Sequence, residues 1–461
     1  MRHGRTCCQA SIGCKQAMVS AAAFQFRRII ETFIIDRGGI LTYHPQPDKS
    51  MRILHLVHQY PPDHVGGTEL YTVWLTRALQ QQGHEVAVFH RRSAEGTGLS
   101  RRVDDGIAIW SVWHGRFQPT SRLLATFRNP ALLHAFQEVV ATFRPDIVHV
   151  EHLMGLPTQI LDHLHQQQIP YVVTLWDFWW VCANAQLLTN YSQEICDGPN
   201  FYLNCAKCAL ARANQPQFPP AIPPLALPLA WRNGRLRRVL QQASKLIAPA
   251  EFVKQWYVDH GLPADKIEVL PPGLDYPSKP EVPPHDSFRV GYLGGLSWQK
   301  GVHVLVEAFA QLPETAELWI AGDTQFDPDY VKQLKRSGRA KFLGKLDRQQ
   351  VWETLAQLDV VVVPSLWYET FCFVVSEAFA MGVPVITNDL GVLGERVRDG
   401  VDGLLVSPGD VDQLAQALQK LHDDPNLLHR LRQNIPTIDT VAEHTAVVTQ
   451  LYHETLKQIT R

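Results

Sequence analysis

Two glutamates, Glu369 and Glu377, stand eight positions apart in SLWYETFCFVVSEAFAMG, the mostly apolar stretch from Ser365 to Gly382. On one continuous helix they would lie about 12 Å apart, at ~1.5 Å per residue. Retaining glycosidases hold their two carboxylates ~5 Å apart and inverting ones ~6.5–9.5 Å, so a two-carboxylate hydrolase fits poorly. The preceding DVVVVPS reads as a buried strand, and LWYE as the turn at its carboxyl end. Thr370 is then the expected N-cap of a helix from about Phe371 to Met381, with Gly382 just past its end. Glu369 would project from the loop into a cleft, and Glu377 would lie within an apolar helix. A buried carboxylate without a partner is costly, so Glu377 needs an internal salt bridge or ligand hydroxyls, such as those of a ribose.

Two glycine loops could serve the same cleft. In QYPPDHVGGTELYTVWL, Gly66 and Gly67 follow a strand and precede a helix, where exposed amides and the helix dipole favour phosphate. An ordinary glycine turn is the plainer reading. A dinucleotide site would need GxGxxG here and an acid closing the second strand, whereas HEVAVFHRR ends in His and Arg. A Walker A lysine motif is also missing. The second loop, VGYLGGLSWQKGVHVLVEAF, places Gly294 and Gly295 after a strand and Lys300 before a helix. A lysine ammonium there suits a pyrophosphate; a solvated surface lysine is the alternative.

Four cysteines make a separate pattern. Cys182, Cys196, Cys205 and Cys208 are spaced C-x13-C-x8-C-x2-C in a stretch rich in Asn, Gly and Pro. Such a set could hold a tetrahedral structural zinc, or remain free buried thiols. Disulfides are not expected of a cytosolic chain. Asp327–Asp329, a DPD match to metal-binding DxD motifs, falls in a loop context away from the glycine loops and is set aside. WRNGRLRR, Trp231 to Arg238, is basic with apolar neighbours and reads as a solvated helix face, with peripheral contact to anionic lipid as the second reading.

The elements that must hold these residues alternate. From Met51, the runs RILHLV, HEVAVFH, IAIWSV, DIVHVE, YVVTLW, KLIAPA and KIEVL fit buried parallel strands between amphipathic helices. A proline-rich linker, 276–287, cannot be helix or central strand. The alternation then resumes with FRVGYLGG, AELWIAG, KFLG, DVVVVPS, VPVITND and DGLLVSP. Two such runs predict an α/β protein with two doubly wound domains, 51–275 and 288–440, facing across a cleft, and a C-terminal helix over 441–461 that could pack on either. Residues 1–50 lack periodicity and read as an extension outside the fold, with a targeting peptide as the alternative. The chain has 461 residues, 45% hydrophobic and 19% charged, with formal net charge −2. Nothing there draws it to nucleic acid, and no apolar run approaches the ~20 residues of a membrane span. A cytoplasmic protein is expected, at most resting on the inner face of a membrane.

From Met51 onward the chain resembles the retaining glycosyltransferases of family 4, which have the GT-B fold. The resemblance rests on GGTE, PDIVHVEH, TLWDFWWVC, IAPAEFV, DKIEVLPPGLD, GGLSWQKG and the E-x7-E element YETFCFVVSEAFAMGVPVI. It implies transfer of a sugar from a nucleotide diphosphate-sugar donor to a glycan or lipid-linked acceptor, with retention and no required metal cofactor. It further implies that Glu377 binds the donor ribose, that Glu369 approaches the transferred sugar, and that the amides around Phe371 and Cys372 face it. Lys300 and the Gly66–Gly67 loop would stabilise the departing diphosphate. The chain departs from the family at four points. Gly295 stands where an Arg is frequent, Cys372 replaces the usual glycine, Glu151 interrupts an HxH run, and Trp176-Asp177 replaces a His-Asp pair. His152 and Asp177 are the expected cleft residues near the acceptor, with a core or surface role for His149 and His152 as the alternative, since a strand alternates faces. A sugar-nucleotide epimerase or hydrolase, and a non-catalytic sugar-nucleotide-binding protein, are the alternative functions.

Overall fold

The apolar runs that alternate with amphipathic segments form two sheets. The structure is a computed structural model that describes residues 50–93, 98–114, 123–325 and 327–459. The extension expected at 1–50 lies outside the described residues, apart from Ser50.

The first domain supplies β1 (Arg52–Val57), β2 (Glu85–Ser93), β3 (Gly98–Asp104), β4 (Ile107–His114), β5 (Ile147–Val150), β6 (Tyr171–Thr174), β7 (Lys245–Ala248) and β8 (Ile267–Val269). Their order is β3-β4-β2-β1-β5-β6-β7-β8. All pairs are parallel except β3 with β4. The strand pattern of the sequence does not include β3, because GLSRRVD at an exposed sheet edge has no apolar alternation to betray it. The second domain contributes β9 (Arg289–Leu293), β10 (Glu317–Ala321), β11 (Ala340–Gly344), β12 (Val360–Val363), β13 (Val385–Asn388) and β14 (Gly403–Val406). These form a second sheet in the order β11-β10-β9-β12-β13-β14. Strands such as VVVV of β12 are buried along their whole length, as parallel strands covered by helices on both faces must be. This is the expected GT-B architecture of two Rossmann-like halves.

Strand order reverses direction between β1 and β5 in one sheet and between β9 and β12 in the other. Ligands of open α/β sheets bind at the carboxyl ends of the strands beside such a reversal. Both glycine loops, Glu151–His152 and the E-x7-E element leave from these four strand ends.

The chain passes between the sheets twice, and the two crossings touch. Leu274 N donates to Asp439 O at 2.9 Å, and the Tyr276 hydroxyl donates to Ile438 O at 2.9 Å. A Cβ on Gly273 would meet Thr440 O at 2.3 Å, so only glycine lets the strands lie this close. After the second crossing, the helix Val441–Ile459 returns to the first domain, which settles where the terminal helix packs. Its Tyr452 hydroxyl lies 2.6 Å from His149 Nδ1, and its His444 Nε2 lies 2.8 Å from the Tyr71 hydroxyl.

Candidate active site

The E-x7-E element is a loop followed by a short helix, Phe373–Ala380, not a helix from Phe371. Its N-cap is Cys372, at φ 63, rather than Thr370. Thr370 instead donates its hydroxyl to Trp176 O at 2.6 Å, a bond from the second domain to the first. Cys372 therefore occupies the left-handed region that favours glycine, which gives a physical reason for a glycine at this position. Arg396, which no sequence motif marks, holds the turn. Its guanidinium donates to the carbonyls of Phe371 (2.5 Å) and Cys372 (3.1 Å) and to the Ser376 hydroxyl (2.6 Å), and stacks 3.9 Å from the Phe371 ring centroid. Each peptide N–H points opposite its carbonyl, so the amides of Cys372 and Phe373 are turned away from Arg396. Neither donates to any acceptor among the described residues.

Glu369 lies at the base of this loop. Its Oε1 accepts from Lys300 Nζ at 2.7 Å, Ser365 Oγ at 2.8 Å and Trp367 Nε1 at 2.9 Å. Burial alone would raise the Glu369 carboxyl, but the Lys300 ammonium and the three donors outweigh it and hold it below the usual range. Burial would likewise lower the Lys300 ammonium, and Glu369 reverses that. Both groups are charged, and Oε2 accepts no hydrogen bond among the described residues. Lys300 reaches this place because Gly301, at φ 68, turns the chain where a Cβ would strike Pro364 O at 1.9 Å.

The Gly66–Gly67 loop faces the same helix start from across the cleft. A Cβ on Gly67 would come within 3.1 Å of the Phe373 ring, and one on Gly66 within 2.7 Å of Glu69 Oε2. Gly294 adopts φ 154, and a Cβ on Gly295 would meet nothing within 4 Å. The place where the family carries an Arg is therefore open space. Glu377 is 8% exposed and accepts from Arg348 Nη1 at 2.7 Å through Oε1 alone. The internal salt bridge expected as one reading is present, and Oε2 remains for a ligand. Arg348 itself spans the cleft, with its guanidinium 5.6 Å from the Trp74 ring and 4.5 Å from Trp352. Its Nη2 is buried without a partner.

On the first-domain side, His152 Nε2 and Asp177 Oδ2 lie 3.0 Å apart. Met154 N donates to His152 Nδ1 at 3.1 Å, so Nε2 carries the proton and donates to Asp177. With both nitrogens occupied and 3% exposure, His152 orients Asp177 rather than presenting a free base. Beside it lie His58, its ring 4.5 Å away, and Glu69, 3.5 Å from His58 Nε2. Burial, and then His152, push His58 well below its ordinary value, and burial raises Glu69. Sequence motifs single out neither as a site residue, although Glu69 closes the quoted GGTE. Glu151 is wholly buried behind this cluster, accepting from Trp176 Nε1 at 3.0 Å and lying 3.0 Å from His55 Nδ1. Burial alone would raise it, but His149, His55 and Trp176 hold it lower. His149, next to it, has hydroxyls on both nitrogens, Tyr452 at 2.6 Å and Thr174 at 2.7 Å. These residues are a polar tie between sheet and terminal helix rather than part of the open cleft. The DPD acids also have a structural explanation, since Asp327 caps the helix Pro328–Leu334 by accepting from Tyr330 N at 3.1 Å.

Two parallel-sheet domains facing across a cleft, with a lysine, a loop of unpaired amides and glycine loops at its strand ends, define a GT-B transferase site. Residues 65–276 match the family described as Glycosyltransferase Family 4, and residues 278–437 match Glycosyl transferases group 1. Together these matches, over residues 65–276 and 278–437, support a group 1 glycosyltransferase. Similar curated proteins include the glycogen synthase of Mycobacterium tuberculosis, 27% identical over 404 residues, covering 82% of this chain and 88% of that protein. The D-inositol 3-phosphate glycosyltransferase of Paenarthrobacter aurescens is 25% identical over 383 residues, covering 78% and 85%. Among solved structures, sucrose-phosphate synthase from Thermosynechococcus elongatus matches with TM-score 0.64 at 21% identity, covering 88% of this chain and 99% of that one. The Anabaena protein HepE in complex with UDP and glucose matches with TM-score 0.59 at 21% identity, covering 89% and 98%. Among the described residues, no helix is long and apolar enough to cross a membrane.

Proposed function

We propose that the protein transfers a sugar from a nucleotide diphosphate-sugar donor to a glycan or lipid-linked acceptor, retaining anomeric configuration and needing no catalytic metal. The observation that carries this reading is the pair of partly exposed Lys300 and buried Glu369, 2.7 Å apart, at the reversal point of the second sheet and beside the outward-turned amides of Cys372 and Phe373. Bond cleavage at the sugar leaves a new negative charge on the diphosphate. A fixed ammonium and unpaired amides stabilise that charge without reorganising when it forms. Glu369 holds the ammonium in place and offers Oε2 toward the sugar, while Glu377 offers its unused oxygen to the ribose. The similarity to a protein solved with UDP and glucose supports a uridine diphosphate sugar as the first donor to try.

The acceptor would enter from the first domain. A cavity of about 270 Å³ at the ends of β1, β2 and β4 is lined by Tyr60, Asp63, His90, Arg91, Arg92 and Trp113. Arg92 pairs with Asp63 at 2.6 Å and lies 4.1 Å from the Trp113 ring, a polar pair beside an aromatic face that suits a sugar. A lipid-linked acceptor is supported by the helix Ile222–Gln242, whose Leu227 is 72% and Trp231 54% exposed beside Arg237 and Arg238.

Calorimetric titration with a panel of nucleotides, followed by product analysis with and without acceptor, tests the reading. Transfer with an α-donor giving an α-product is expected. Free sugar released at the same rate without acceptor would mark a hydrolase, and binding without turnover a non-catalytic protein. For the ribose contact, Glu377→Ala should weaken donor binding roughly ten- to a hundredfold, the worth of a hydrogen bond to a charged group. Unchanged donor affinity would remove Glu377 from the donor site.

A further inference from the structure

We infer that Glu395 is a positioning residue of the transfer site, tying the two domains together at the N-terminus of the first-domain helix Glu251–Asp259. Its role rests on the transferase reading above, and Glu395 acts through its neighbours rather than on a substrate.

The helix Glu251–Asp259 begins without a cap of its own. Its N-cap is Ala250, extended at φ −156 and ψ 160, whose methyl has no oxygen to offer. The first intrahelical bond runs from Lys254 N to Ala250 O at 3.2 Å, which leaves the preceding amides without helical acceptors. The second domain supplies what is missing. Glu395 Oε1 accepts from Glu251 N at 3.0 Å, and Oε2 accepts from Phe252 N at 2.7 Å. Each oxygen takes one amide, and the negative charge sits at the positive end of the helix dipole. A side-chain cap normally comes from the residue before the helix. Here it comes from the other domain, so it exists only while the domains stay together.

Both ends of this tie reach residues of the site. Next in the chain, on the short helix Val392–Arg396, Arg396 donates to the Phe371 and Cys372 carbonyls and so sets the direction of the Cys372 and Phe373 amides. Thr370, at the start of the same turn, adds a second crossing through its hydroxyl bond to Trp176 O at 2.6 Å. On the first-domain side, Tyr257 of the capped helix donates its hydroxyl to Asp177 O at 2.7 Å. Asp177 is the carboxylate expected beside the acceptor, and His152 orients it. The far end of the helix is anchored within its own domain. His260 Nε2 lies 2.8 Å from Asp197 O, in the segment that carries the free, half-buried thiols of Cys182, Cys196, Cys205 and Cys208. A continuous path of short bonds therefore runs from Asp177, through the helix and Glu395, to the amide-bearing turn.

Packing does not hold the seam in place of these bonds. A cavity of about 170 Å³ lies beside them, lined by Ala250, Pro271, Phe371, Ser376, Glu395 and Arg396. Empty space gives its walls no dispersion contacts. The contact that does exist is narrow. Phe252 and Tyr368 stand with ring centroids 5.0 Å apart, and a Cβ on Gly391 would meet Tyr368 at 2.9 Å and Phe252 at 3.0 Å. Glu395 itself is exposed, so replacing it removes a tie and no core. Transfer is sensitive to this register, since misplacing reacting groups by about 1 Å can cost on the order of a hundredfold in rate.

Amide exchange, turnover and nucleotide affinity, measured on the full chain and on Glu395→Ala, test the role. Hydrogen exchange can be read by mass spectrometry on peptides that begin in the preceding strand. It should quicken at Glu251 and Phe252 by roughly two- to thirtyfold, the worth of one helix cap. The kcat for sugar transfer should fall by a similar factor, with affinity for the tightest-binding nucleoside diphosphate of the titration panel unchanged. Glu395→Gln keeps one accepting oxygen and should fall between wild type and Glu395→Ala in both readouts. Combined with Arg396→Lys, Glu395→Ala should cost less than the two separate losses multiplied, since both act on one turn. Unchanged exchange in Glu395→Ala overturns the tie, and faster exchange with unchanged kcat overturns its role in positioning. So does a loss of nucleotide affinity in step with kcat, which would place Glu395 in the donor site. A wild type that transfers no sugar counts against the transferase reading instead, and the amide exchange still decides whether Glu395 ties the domains.

Discussion

At Cys372 the side chain and the backbone make opposite demands. The turn needs φ 63, which glycine adopts freely and cysteine does not, yet burial and Glu369 push the thiol up to about 12, so it stays neutral beside the site. Ordinary helix and strand positions rank alanine above glycine by roughly 0.5–1 kcal/mol. Here the order should invert. Cys372→Gly and Cys372→Ala both remove the sulfur, so their difference isolates the backbone. The glycine variant should unfold at higher denaturant, by about 1 kcal/mol. If the alanine variant is the more stable, the turn is not strained and the glycine preference must come from room for the sugar. Gly295 is the converse case, because open space beside its Cβ leaves an arginine side chain possible without repacking.

Among the elements, the helix Ile222–Gln242 is more divided than the solvated basic face that its sequence suggests. Arg232 and Asn233 are buried, while Pro224, Leu227, Trp231 and Arg238 share the exposed side. An apolar half-face followed by arginines suits the boundary of an anionic bilayer. The full chain should therefore co-sediment with phosphatidylglycerol vesicles at low salt and much less with phosphatidylcholine alone. Leu227→Glu with Trp231→Glu should abolish that binding without altering donor affinity; equal binding of the double variant would place the contact elsewhere. Most strands are legible in sequence because parallel strands buried on both faces are continuous apolar runs, as in RILHLV and VVVV. β3 is not, because an exposed antiparallel edge has no such signature. The same limit applies to the site. Lys300 and Glu369 can be read from loop chemistry, since glycine, acid and lysine at strand ends are local features, and Glu377 stands out as an acid within an apolar helix. Arg396, Arg348 and His58 cannot, because each acts on partners brought near only by the sheet order. Arg396 opens RVRDG and carries no local mark of the Phe371 carbonyl it binds, 25 residues away.

The whole molecule is closed by its last helix, and the closure has a pH signature. Three buried histidines, His90, His149 and His444, are lowered from the ordinary 6.5 to about 4, in each case chiefly by burial. His149 faces Glu151, His55, Tyr452 and Thr174; His444 faces Tyr71 from the terminal helix, with Glu151 further off; His90 faces Ser111, Tyr60 and the Arg92–Asp63 pair. Two of the three thus sit where the second crossing delivers the C-terminal helix onto the first sheet. In the unfolded chain these imidazoles take up protons near pH 6.5, and in the folded protein only near pH 4. The unfolded state therefore binds more protons between those values, and stability falls as pH drops through the window. Chemical denaturation from about pH 7.5 to about pH 4.5 should show a midpoint declining from about pH 6.5 downward, before most carboxylates titrate. His444→Gln, which keeps a polar partner for Tyr71 but cannot gain a proton, should flatten the slope by about a quarter at most, since His58 is lowered through the same window, while lowering stability at about pH 7.5 only modestly. A wild-type midpoint constant from about pH 7 to about pH 5 would mean that the terminal helix is not held by neutral histidines.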